Sequence, residues 1–277
     1  LEVVVTPEFL RQYSMSGDPA DRSCYQIGVL REDGGRGGSK LLHRIFSEGR
    51  RVFISRPINH FPLEEAASRT FLMGGGIGIT PMIAMAHRLH ALGRDFKVHY
   101  SASSRRTAGY LDDLATMPWA DRVHLHISDE GSRADLAALL SGWQDGWHVY
   151  TCGPDRYMQS VVEAAEAGGF PEEARHLEYF SVPEAPEYEN HPFTLRLTDG
   201  RSFVVPADKT ATDVLAEHGI HVDVKCSDGI CGVCKCKLVS GKVEHRDWVL
   251  SKAQRQDTII LCQSRAADPE GEIEIEL

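Results

Sequence analysis

The spacing of apolar residues divides the chain into three stretches of different rhythm. In the first, Leu1-Glu-Val-Val-Val5 begins as a strand, and residues 25–30 and 51–62 read as further short strands between glycine-rich turns. That pattern predicts a small antiparallel β-barrel. In the second, the apolar run Thr70-Phe-Leu-Met73 leads into Gly74-Gly-Gly-Ile-Gly-Ile-Thr-Pro81, and residues 82–92 repeat apolar side chains at helical period. Strands at 96–101, 123–128 and 147–152 then alternate with helices at 111–115, 133–140 and 155–167, which predicts a parallel sheet with helices on both faces. In the third, Phe193-Thr-Leu-Arg-Leu197 and Arg201-Ser-Phe-Val-Val205 flank Thr198-Asp-Gly200 as a hairpin. A short helix at 212–218 turns Leu215 inward, strands follow at 235–238 and 257–263, and Glu272-Ile-Glu-Ile-Glu-Leu277 alternates as a half-exposed strand.

Between the second and third stretches, the segment from Ser181 to Pro192 carries three prolines and three glutamates and reads as a linker. The expected fold class is therefore multidomain. A partial antiparallel β-barrel spans 1–65, an α/β domain with a parallel sheet 66–180, a linker 181–191 and an α+β domain 192–277. The chain opens on Leu1 within a strand, so it reads as the C-terminal part of something longer.

Composition narrows the partners. A net charge of −10 argues against nucleic acid and anionic membranes, both of which attract basic surfaces. An acidic chain suits docking on a basic protein patch. No apolar run approaches bilayer length and no signal-peptide pattern opens the sequence, which points to the cytoplasm.

Cysteine spacing is the most specific chemistry. Cys226-Ser-Asp-Gly-Ile-Cys231-Gly-Val-Cys234, answered by Cys262, gives C-x4-C-x2-C…C, the ligation pattern of a plant-type 2Fe–2S cluster. Structural zinc sites draw their ligands as two close pairs, and the second pair is missing; zinc and disulfides remain the alternatives. Ser227, Gly229 and Gly232 let the loop wrap closely and aim N–H groups at negatively charged sulfides. Cys24 and Cys236 read as small buried hydrophobes.

Three further motifs suit phosphates and nucleotides. Arg36, Gly37, Gly38 and Ser39 precede a helical-looking segment at 40–46 and make a phosphate cradle, although glycines in a turn also serve simple flexibility. A strand, a glycine turn containing Gly76 and Gly78, and a helix with Thr80 as cap and Pro81 at its first position form the usual pyrophosphate site. Pro81 stands where the Rossmann fingerprint has its third glycine. Cys152-Gly153-Pro154 ends a strand at the ligand-binding edge of the same sheet, where a thiol has both a functional and a packing reading. After the second strand, where NAD enzymes often hold the ribose with a carboxylate, the chain has Ser103, Ser104, Arg105 and Arg106. Hydroxyls and guanidinium groups suit a 2′-phosphate, so NADPH is expected ahead of NADH.

In this order the motifs closely resemble the phthalate dioxygenase reductase family. The resemblance rests on R-x-Y-S at Arg11, Tyr13 and Ser14, G-R-G-G-S ending at Ser39, G-G-G-I-G-I-T-P ending at Pro81, C-G-P beginning at Cys152, E-Y-F ending at Phe180, and the four cluster cysteines. It implies a flavin domain, a nicotinamide domain and a C-terminal β-grasp ferredoxin, passing electrons from NAD(P)H through FMN to the cluster and on to an oxygenase. By the same resemblance Arg11, Tyr13 and Ser14 line the flavin, and Arg36, Gly37, Gly38 and Ser39 hold its phosphate. Cys152 lies beside the nicotinamide and Phe180 near the flavin face. The family's first barrel strands are absent, so an incomplete barrel is expected. The acceptor is a haem-thiolate oxygenase in the same polypeptide, slightly favoured, or a separate Rieske oxygenase. A ferredoxin or redox-sensing module without flavin activity is the reading from another class.

Overall fold

The computed structural model describes residues 1–6, 9–34, 37–182 and 187–277. Contacts divide the chain into two units, Leu1–Glu178 and Tyr179–Leu277.

The first unit begins with β1 (Glu2–Thr6) and β2 (Phe9–Gln12), followed by α1 (Gly38–Ile45) and β3 (Phe53–Ile54). The three strands form an antiparallel sheet of order β2-β1-β3. Val3 and Val5 alternate inward and pack with Leu42 of α1, as a period of two requires.

Next come β4 (Arg69–Gly75), α2 (Ile79–Ala91), β5 (Phe96–Ala102), α3 (Leu111–Thr116), β6 (Val123–Ile127), α4 (Leu136–Leu139), β7 (Trp147–Cys152), α5 (Asp155–Ala167) and β8 (Arg175–Glu178). Their five strands are parallel, in the order β6-β5-β4-β7-β8. β4 is buried on both faces. Leu72 joins Ile83 and Leu89 of α2, whereas Phe71 and Met73 join Val161 and Ala165 of α5. This explains why Thr70-Phe-Leu-Met73 is apolar without alternation. Because the chain leaves β4 first to one side and later to the other, the order reverses between β4 and β7. Ligands of such sheets bind at that reversal, outside the carboxyl ends of the strands.

The second unit contains β9 (Phe193–Leu197), β10 (Ser202–Val205), α6 (Ala211–Glu217), β11 (Lys235–Ser240), β12 (Val243–Glu244), β13 (Thr258–Ile260), β14 (Arg265–Ala266) and β15 (Glu272–Glu276). A mixed five-stranded sheet of order β10-β9-β15-β11-β13 has α6 beside it, with β12 and β14 paired separately. Leu215 of α6 is fully buried among Leu195, Val205 and Ile275. A capping box starts α6: the Thr210 hydroxyl accepts from Asp213 N (3.1 Å), and the Asp213 carboxylate accepts from Thr210 N (2.9 Å). Arg265 donates to the carbonyls of His191, Pro206 and Lys209, and Arg246 to Asn190 Oδ1 and Glu189 O. The residues just before β9 are thereby tied to the sheet.

Several sequence expectations are corrected. Residues 25–30 form no strand; Met15 and Ile27 make one isolated bridge. Gly28 instead lies so close to Tyr110 and Thr80 that a Cβ there would sit 2.7 Å from Tyr110 Oη and 2.8 Å from Thr80 Cγ2. The strand expected at 51–62 shrinks to β3, because only Phe53 and Ile54 find partners, on β1. The helix expected at 133–140 shrinks to α4, whose cap Asp135 accepts from Ala138 N (3.1 Å). Thr80 is not the cap of α2: a 3-10 turn at Gly76–Gly78 precedes the helix, and the Thr80 hydroxyl donates to Ile77 O (3.1 Å). Cys262 lies beyond the end of β13, since only three residues there have strand partners on β11. Cys24 is exposed, with Sγ 3.4 Å from Asp21 Oδ2. Among the described residues, no helix is long and apolar enough to cross a membrane.

Candidate functional site: a sheet edge and a sulfur loop

At the reversal between β4 and β7 the sheet edge is built from missing side chains. Gly74 pairs with Cys152 across the strands. A Cβ on Gly78 would fall 2.2 Å from Cys152 O, one on Gly75 2.7 Å from the Tyr157 ring, and one on Gly153 2.8 Å from Gly75 O. Two backbones therefore cross in contact, and Gly76 turns between them at φ 54°. The turn delivers the N-terminus of α2, with buried Thr80 and Pro81 in its first turn and no acidic residue there. This edge suits a dinucleotide pyrophosphate. Beyond the end of the facing strand, Pro154 immediately precedes α5.

Cys152 is wholly enclosed. Burial, and then the neighbouring Glu178 charge, push its thiol well above the usual range, so it stands as a neutral thiol. Glu178, across from Cys152 on β8, accepts a 2.6 Å hydrogen bond from Ser14 Oγ. Burial raises that carboxyl, and the serine hydrogen bond partly opposes the rise. Ser14, far away in sequence, thus holds the carboxylate whose charge acts on Cys152. Glu178 was missed as a site residue; its place in E-Y-F two residues before Phe180 was the available signal.

The R-x-Y-S segment also reaches α1. A Cβ on Gly38 would lie 2.6 Å from Arg11 Nε, so Gly38 leaves room for the guanidinium at the start of the helix. Gly37 there is left-handed (φ 89°), and the first turn carries no acid. A guanidinium beside bare helix amides fits a terminal phosphate. Ser39 Oγ accepts from Glu32 N (3.1 Å), Tyr13 is half-buried with its phenol raised by burial, and Arg36 lies outside the described residues.

In the loop after β5, the hydroxyls of Ser103 and Ser104 meet Thr107 Oγ1 at 3.0 and 2.9 Å, and Arg106 is exposed. Arg105 is paired: Nε and Nη2 donate to Glu130 Oε1 and Oε2 at 2.6 and 3.2 Å. A carboxylate is present after all, supplied by the loop after the next strand, which local spacing does not reveal.

In the second unit, the sulfurs of Cys226, Cys231, Cys234 and Cys262 are within hydrogen-bonding reach of one another, Cys226 meeting Cys231 and Cys262, and Cys262 meeting Cys234. Among the described residues no group of three or more His, Cys, Asp or Glu is gathered as a cage for one metal ion; the sulfurs follow one another in the order Cys231, Cys226, Cys262, Cys234. Cys226, accepting from two neighbours, is driven far down, whereas Cys231 and Cys262 are driven up. Main-chain N–H groups point at the sulfurs, including Asp228 N to Cys226 Sγ at 3.3 Å, with Ile230 also on Cys226 and Gly229 on Cys262. That wrapping needs positive φ at Ser227 (58°), Gly229 (74°) and Gly232 (70°). Four neighbouring thiols with main-chain N–H groups on their sulfurs fit an iron–sulfur cluster, whose sulfur ligands such groups stabilise. Phe180, at the start of this unit, is 42% exposed.

Comparison with known proteins gives the family. Residues 196–267 match the 2Fe-2S iron-sulfur cluster binding domain. Over 273 residues the chain is 41% identical to the reductase subunit of the tert-butanol monooxygenase / tert-amyl alcohol desaturase of Aquincola tertiaricarbonis, covering 93% of this chain and 80% of that one. It is 36% identical over 274 residues to phthalate dioxygenase reductase of Burkholderia cepacia, covering 98% and 84%. Among solved structures, an intact type IV self-sufficient cytochrome P450 monooxygenase superposes with a TM-score of 0.85 at 37% identity, covering all of this chain. The chain spans 36% of that longer polypeptide. Its sheet edge, its thiol loop and its similarity along nearly the full length make the chain a member of the phthalate dioxygenase reductase family of electron-transfer oxidoreductases.

Proposed function

We propose that the chain is an oxygenase reductase that draws on NADPH, FMN and a 2Fe–2S cluster and serves a haem-thiolate monooxygenase, as the reductase part of one polypeptide. The observation that carries this reading is the presence, in one chain, of a glycine-built nucleotide edge and a four-thiol loop. When bound, the flavin accepts electrons in pairs and releases them singly, and the cluster carries one at a time. The rest is positioning. Arg11, Gly37, Gly38 and Ser39, with Arg36, hold the flavin phosphate. Gly76, Gly78, Thr80 and Pro81 seat the pyrophosphate at the start of α2, and Gly153 and Pro154 lead from the facing strand into α5. Ser104, Arg105 and Arg106 take the 2′-phosphate. Cys152 closes the floor of the nicotinamide site as a neutral thiol, while Ser14 holds the Glu178 carboxyl in place. Cys226, Cys231, Cys234 and Cys262 ligate the iron. Residues 1–65, 66–180 and 192–277 divide these tasks as flavin, nucleotide and cluster segments.

Support for the haem-thiolate acceptor comes from the 0.85 TM-score over the whole chain. The likeness to stand-alone reductase subunits favours a separate oxygenase as the second reading. Competition decides between them. The purified chain, given NADPH, should reduce an isolated haem-thiolate domain of the self-sufficient type faster than a Rieske oxygenase at equal concentration. Faster reduction of the Rieske protein would favour the separate oxygenase, and reduction of neither would favour a redox-sensing module.

A further inference from the structure

The loops after β5 and β6 leave the sheet side by side, since Ala102 pairs with Ile127 at the strand ends. Asp129 N donates to Ser103 O at 3.0 Å, which locks one loop to the other. On this frame Glu130 grips Arg105 with both oxygens, although the two side chains remain 45% and 57% exposed. An exposed pair of this kind holds weakly and is screened by salt. A phosphate dianion carries twice the charge of the carboxylate and matches the same guanidinium edge. With NADH there is no phosphate to compete, and the pair between Arg105 and Glu130 stays closed.

Resting on the nucleotide reading above, we infer that Glu130 is a specificity-determining residue: it occupies Arg105 until a 2′-phosphate displaces it, and so moderates the preference for NADPH over NADH. The loop is then a balanced site in which one arginine has two competing anions. Arg106, exposed beside it, adds charge that the phosphate uses.

The test is binding of 2′,5′-ADP and 5′-AMP to the full chain by calorimetry, together with KM for NADPH and NADH. In Glu130→Gln, 2′,5′-ADP should bind about threefold tighter and the KM for NADPH should fall by about the same factor, the scale of an exposed ion pair. Binding of 5′-AMP and kcat with either nucleotide should not move, and the NADPH gain should shrink as salt rises. Arg105→Gln separates the two layers of the argument. If it weakens 2′,5′-ADP but Glu130→Gln changes nothing, Glu130 is a surface partner only and this inference falls. If it leaves 2′,5′-ADP unchanged, the loop does not read the 2′-position, and the NADPH assignment falls with it. Weaker 2′,5′-ADP binding in Glu130→Gln would also overturn the inference, because Glu130 would then be orienting Arg105.

Discussion

At the cysteine loop four sulfurs form the site, and the backbone is bent to bring them together; three residues there sit at positive φ. At the ends of β4 and β7, Gly75, Gly78 and Gly153 form the site by carrying nothing, and a methyl on Gly78 would meet a carbonyl at 2.2 Å. Substitution should therefore hurt the two places for different reasons: lost ligands in the second unit, lost room in the first.

The largest effect belongs to a ligand. Cys262→Ser should reduce electron transfer to a protein acceptor such as cytochrome c to background, while flavin-dependent ferricyanide reduction persists. Loss of both would show that Cys262, which also lies in the buried core of the second unit, acts first on folding. Next comes Gly78→Ala. Its methyl collides with rigid backbone, an overpacking worth about 3 kcal/mol or more. Thermal melts should show the loss in the first unit, with a raised KM for NADPH and an unaltered cluster spectrum. An Ala tolerated at Gly78 without loss would mean that the crossing of β4 and β7 is looser than described.

A third effect follows from the histidines on the first unit's sheet. His99 is buried, its Nδ1 3.0 Å from His126 Nε2 and its ring stacked 4.8 Å from His124. Burial first, then the neighbouring His124, lower it from 6.5 to about 3. Between those values the unfolded chain binds a proton that the folded chain refuses, so stability is lost as pH falls through that window. From pH 7 to pH 5 the loss should be about 2 kcal/mol from this residue, read as a lowered urea midpoint. His176, lowered to about 4 mainly by burial, acts in the same direction. If His99→Gln melts with an unchanged pH slope, the stack does not set acid stability. The smallest effect is Gly232→Ala in the cysteine loop. Its nearest neighbour is 3.6 Å away, so only the positive φ opposes a side chain, at about 1 kcal/mol. A loss at Gly232 as large as that at Gly78 would erase the contrast between the two sites.

Legibility followed the same division. Ligand spacing is local, so C-x4-C-x2-C and the later Cys262 were readable, as was the β9–β10 hairpin, whose turn places Gly200 at φ 91°. The apolar run of β4 and the glycine turn after it were readable because burial on both faces leaves a continuous signal. What escaped depends on partners far apart in the chain. Ser14 finds Glu178 and Arg105 finds Glu130 only after the sheet has formed. Residues 25–30 carry strand-forming side chains, yet Gly28 lies against Tyr110 and Thr80 and the segment pairs almost nowhere. Periodicity reports which residues face inward; it does not report which of them meet.

The most direct test of the electron relay is the visible spectrum of the purified chain, recorded anaerobically before and after stoichiometric NADPH. The account predicts flavin and iron–sulfur bands together, both bleached by the nucleotide. A cluster band alone, unmoved by NADPH, would contradict it.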